Sequence, residues 1–333
     1  MAYTTIDKPS NYFNTVIYSG SSSNQTISGV GFQSDMTWFK NRNNTANHAL
    51  QNSVVGAGKR LSPDRNVAEG DEPNGLGAWN SDGFTFQGDY SGSGYNASGR
   101  TYVAWSWKKV AGVFDIQTYT GNNTGSRQVS HNLGVVPSLI IIKNRTNASS
   151  WWIGSTEISF TWNADYLQLN ESAAKGTDGG GHIFGAVPTS SYFVPGDNND
   201  TNGNSNNYVA YLFGNKQGVS KVGSYTGNGN ANGTFVYTGF KPAFFMAKRT
   251  DASDMPWVMI DNKRNSFNAL SNTLLANSNE AANTGTDRAD FLSQGVKIRT
   301  NSTAWNASGA SFIYMAFAEN PFVTSSGVPA CAR

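Results

Sequence analysis

Apolar residues in this chain fall in short runs, rich in β-branched and aromatic side chains and separated by Gly, Asn, Asp and Ser. Runs of roughly four to seven such residues bounded by turn formers predict strands. Residues 81–86 and 293–298 alternate polar and apolar positions with period two, as half-buried strands do. Residues 135–142 are apolar almost throughout, which predicts a strand covered on both faces. Residues 151–154 and 257–261 sit where the return strand of a hairpin would fall, and residues 96–99 and 306–309 form matching turns before a closing strand. Only residues 265–276 have a helical alternative, and a packed loop fits them equally. Many short strands with frequent turn signals make the chain all-β, of the β-sandwich or jelly-roll kind.

The same pattern runs three times. Each copy opens on a tyrosine–small–glycine turn: Tyr18-Ser19-Gly20, Tyr119-Thr120-Gly121 and Tyr225-Thr226-Gly227. Each has an apolar strand ending in basic residues, Lys40-Asn41-Arg42, Lys143-Asn144-Arg145 and Lys248-Arg249. Each ends on an aromatic strand around Trp105, Tyr211 and Tyr314. The three glycines are 101 and 106 residues apart and the three lysines 103 and 105. A period of about a hundred residues is the size of a self-sufficient domain, not of a solenoid unit. The organisation expected is an extended arm at residues 1–14, β repeats at 15–110, 111–218 and 219–320, and a tail at 321–333. The joints are only a few residues long, so the copies should pack closely.

Composition adds exclusions. The 24 basic and 22 acidic residues are interspersed and leave a net charge of +2, without the clustered basic stripe that nucleic acid requires. Charged residues make up only 14%, and the polar surface comes from 39 Asn and 36 Gly with Ser and Thr, as in neutral adhesive and structural surfaces. Cys331 is the sole cysteine, so no intrachain disulfide forms. Residues 1–9 lack the pattern of a signal peptide, and no apolar run is long enough to span a bilayer.

Candidate chemistry is sparse. His48, His131 and His182 fall at different points of the pattern, and no nucleophile elbow accompanies them. No carboxylate pair recurs to suggest a glycosidase. Residues 197–204 resemble a calcium loop but lack an acid at the twelfth position, so no metal or cofactor is expected. The recurring basic residues suit either an anion or a structural ion pair, and the structural role is favoured because they recur. Trp151, Trp152 and the loop at Asp197 are candidate glycan contacts, since adjacent strand residues face opposite ways.

The opening Met1-Ala2-Tyr3-Thr4-Thr5-Ile6, the segment Trp38-Phe39-Lys40-Asn41-Arg42 and the ending Tyr314-Met315-Ala316-Phe317 resemble a repeated β domain of unknown function found in virion proteins of tailed phages, especially those of aquatic bacteria and cyanobacteria. That resemblance implies a virion surface protein made in the host cytoplasm, and transfers no catalytic residue. The expectation is a non-enzymatic head decoration or knob protein, a homotrimer by analogy, docked on a major capsid, cement or tail protein through Tyr3, Ile6, Tyr12, Phe13, Pro321 and Phe322. Extended segments of this kind can add to a partner's sheet. The alternatives are a tail fibre or adhesin that binds host polysaccharide, and a depolymerase.

Overall fold

The computed structural model describes residues 4–89 and 94–331. The all-β expectation holds: the sheets are antiparallel, and a larger and a smaller one face each other in each third of the chain. In the first third, the larger sheet has the order Phe13–Ser19, Thr101–Trp107, Met36–Asn41, Ala49–Asn52. In the middle third the order is Phe114–Thr120, Asn207–Phe213, Leu139–Asn144, Trp151–Ser155, extended by Asp165–Gln168 and Gly176–Thr177. In the last it is Ser220–Thr226, Ser311–Pro321, Phe240–Arg249, Val258–Asp261, then Leu274–Leu275. Opening and closing strands are therefore neighbours each time. The smaller sheets also share one order: Gln25–Ser28, Gly83–Phe86, Leu76–Asn80; then Val129–Ser130, Tyr192–Pro195, Phe184–Ala186; then Phe235–Tyr237, Gly295–Ile298, Ala289–Leu292.

The inner strands of the larger sheets are buried on both faces, which is why they read as continuous apolar runs, whereas the opening strands alternate toward solvent. In the closing strands, Val103, Trp105 and Trp107, then Val209, Tyr211 and Phe213, then Ile313, Met315 and Phe317 all enter one central cluster. The intervening side chains, Ala104, then Tyr208, Ala210 and Leu212, then Phe312, Tyr314 and Ala316, turn the other way into three outer clusters against the smaller sheets. The period-two geometry of a strand does this sorting. Phe317 joins all three thirds, its ring lying 4.8 Å from Phe13, 5.7 Å from Trp107 and 6.1 Å from Phe213.

Each third has an outer core of its own, and among the described residues the inner faces of the three larger sheets pack together in the one central cluster. The boundaries of the arm change. Residues Pro9–Asn11 form a 3-10 turn, the first strand starts at Phe13 opposite Trp107, and Ile6 packs on the central cluster. Thr4 Oγ1 donates to the Gln217 carbonyl at 3.0 Å, and the Asp7 carboxylate accepts from Ser325 N at 2.6 Å. Arm and tail are thus tied to each other and to the body. Residues 265–276 are not helical: a packed loop, with Asn265 Oδ1 accepting from Ser271 N and Asn272 N, leads into the short strand Leu274–Leu275.

Candidate functional site

The recurring tyrosine–small–glycine turn is a lock. Tyr18, Tyr119 and Tyr225 each donate their hydroxyl to a backbone carbonyl, of Tyr95 (2.6 Å), Thr201 (2.5 Å) and Trp305 (2.8 Å). The next residue in each case is a fully buried asparagine. Asn96, Asn202 and Asn306 accept at Oδ1 from Ser21 N, Asn122 N and Asn228 N at 3.0–3.1 Å, and donate at Nδ2 to nearby carbonyls. Such an amide satisfies donors and acceptors that would otherwise be buried unpaired. The glycines are required by space: a Cβ on Gly20, Gly121 or Gly227 would meet a carbonyl oxygen at 2.1–2.2 Å.

The basic residues build the junctions between thirds. Lys40, Lys143 and Lys248 are fully buried and donate to carbonyls: Lys40 to Ala46 (3.0 Å) and Asn279 (3.1 Å), Lys143 to Ser149, and Lys248 to Arg249 (2.7 Å) and Ser172 (3.3 Å). Burial lowers each ammonium to about 8. Opposite these lysines, a ring N–H crosses to another third in each case. His48 Nε2 meets the Ser278 carbonyl at 3.0 Å, Trp151 Nε1 that of Ser62 at 2.9 Å, and Trp257 Nε1 that of Gln168 at 2.8 Å. His48 Nδ1 accepts from Trp38 Nε1 at 2.8 Å, which fixes its tautomer, and burial holds it well below the usual histidine range. First grips last, middle grips first, and last grips middle, so the ring closes.

Two residues beyond each lysine the junctions diverge. The carbonyls of Arg42, Arg145 and Thr250 accept from Ala282 N (2.9 Å), Glu69 N (3.0 Å) and Lys175 N (2.8 Å). Arg145 adds a fork to Glu69, with Nε at 2.7 Å and Nη2 at 3.0 Å. Arg42 faces Ala282 instead, and its buried Nε has no hydrogen-bond partner among the described residues. At the third junction, Thr250 and Lys175 leave an open cleft of about 410 Å³, lined also by Ile158, Ser224, Asp251 and Ser311.

The residues expected from sequence to contact partners are placed differently. Trp151 and Trp152 are both buried, because both faces of their sheet are covered, so neither ring is free to stack on a sugar. Phe13 is buried in the central cluster and Pro321 at the end of the last strand, so neither is a free docking residue. Ile6, Tyr12 and Phe322 are partly buried, and Tyr3 lies outside the described residues. Asp197 is exposed, and its Oδ1 accepts from His182 N at 2.8 Å. The cleft was not foreseen from the sequence, although a signal was present: Thr250 stands two residues past Lys248, where Arg42 and Arg145 stand two residues past Lys40 and Lys143.

Residues 8–321 match the model of a family described as a domain of unknown function, DUF7483. The chain belongs to that family. No curated protein matches it, and no solved structure does.

Proposed function

We propose that the chain is three copies of one β-sandwich module and acts as a non-enzymatic structural protein on the outside of a phage particle, as a decoration or knob on the head. Matching strand orders, the three tyrosine–asparagine locks and the cyclic junctions support the repeat. The phage setting rests on the sequence resemblance. The observation that carries the reading is the shared central core, to which all three thirds contribute: three modules closed into one body suit a seat at a local three-fold of capsid or cement subunits. The homotrimer expected of such proteins has its counterpart within one chain, so a monomer is expected in dilute solution. The Asn, Ser, Thr and Gly surface suits a face turned to solvent.

Immunogold labelling of intact phage with antibody to this chain tests the reading. Label over the head is the expected result. Label confined to the tail would move the protein to the adhesin class, and unlabelled particles that lack the chain by mass spectrometry would end the virion reading altogether.

A further inference from the structure

We infer that the cleft between the middle and last thirds is a binding site for an uncharged saccharide. The proposal goes beyond the virion role and stands on the head or on the tail. The cleft exists because one junction departs from its counterpart. Where Arg145 and Glu69 fork across the gap at 2.7 and 3.0 Å, the matching positions hold Thr250 and Lys175. Thr250 is too short to cross, and Lys175 turns back to Asp165 within its own third. The opening of about 410 Å³ falls within the roughly 300–1,000 Å³ typical of small-ligand sites.

The lining sets the ligand class. Its charges are already compensated: Lys175 by Asp165, and Asp251 by Arg249, whose Nε lies 2.6 Å from Oδ1. Asp251 Oδ2 also accepts from Ser311 N at 3.3 Å, which orients the carboxylate at the rim. The opening is lined by polar residues, among them Ser224, Ser311, Lys175 and Asp251, and by the apolar Ile158, Ala174 and Phe312. Donors and acceptors of both kinds with no net field favour a ligand with many hydroxyls and no charge over an anion, which would need an unpaired cation, or an apolar ligand, which would strand these groups unpaired.

Full-length protein is screened on an array of neutral and acidic oligosaccharides, and hits are titrated with backbone amide shifts followed at residues 224 and 311. Binding of neutral sugars with shifts at those positions is expected. The double variant Thr250→Arg, Lys175→Glu rebuilds the fork of the filled junction and should weaken binding by more than about tenfold, with some loss of Tm because Asp165 is left without its lysine. Should that variant misfold, the exposed Asp251→Ala serves instead, with the same expected loss. Absence of any neutral-sugar binding, a preference for acidic glycans alone, or affinity that survives closure of the cleft would each overturn the proposal.

Discussion

A methyl group added to Gly227 would stand about 2.2 Å from the Ala307 carbonyl oxygen. Overlap with backbone cannot be relieved by a rotamer change, so Gly227→Ala is expected to destabilise by about 1–3 kcal/mol, read from the urea midpoint. Gly58→Ala, with nothing within 4 Å of its new Cβ, should change stability by less than about 0.5 kcal/mol; equal effects would disprove the packing account. The three lysines make a pH prediction. Burial lowers them from 10.5 to about 8. Below pH 8 each is charged in both folded and unfolded chains, and the burial cost is carried in full. Between pH 8 and 10 the folded chain releases these protons while the unfolded chain keeps them, so stability rises with pH. Urea unfolding at pH 7.5 and 9.5 should show the increase, and Lys143→Met should reduce it by about a third. A flat profile would mean that the ammonium groups reach water.

At the scale of strands and junctions, the Arg145–Glu69 fork is the reference. Glu69→Gln should cost about 2 kcal/mol, since it leaves a half-buried guanidinium without its carboxylate. Ala282→Glu offers Arg42 the partner that Arg145 already has and should raise stability by about 1 kcal/mol; a fall in Tm would show that Arg42 is better unpaired. Much of this level was legible in the sequence. The residues 135–142 run read correctly only from Leu139 onward: Leu139, Ile140, Ile141 and Ile142 are buried in the strand Leu139–Asn144, whereas Val135 and Val136 lie exposed before it. The lysines, the tyrosine turns and the closing strands stand in register because each makes its own local hydrogen bonds. What covered the strands was not legible. An apolar side chain has the same pattern whether its neighbour belongs to its own third or another, so Trp151 looked free to face solvent. Its position is shared with His48 and Trp257, and only the carbonyl that each ring reaches reveals a junction.

At the scale of the molecule, the shared core predicts one cooperative unit. Residues 111–218 expressed alone would expose Ile116, Ile141, Trp151, Tyr211 and Phe213 to water, and should aggregate or stay unfolded. Phe317→Ala, which empties a site touching all three thirds, should cost about 3–5 kcal/mol and lower a single calorimetric transition as a whole. Separate transitions, with only one displaced, would restore the picture of independent domains. The closed ring has a further consequence. In an assembly of three identical chains every substitution is made three times, so a change that opens one contact opens them all. Here the Arg145–Glu69 contact stays closed while Thr250 stands at another. A single gene can therefore tailor one flank and leave the other two to keep the body shut.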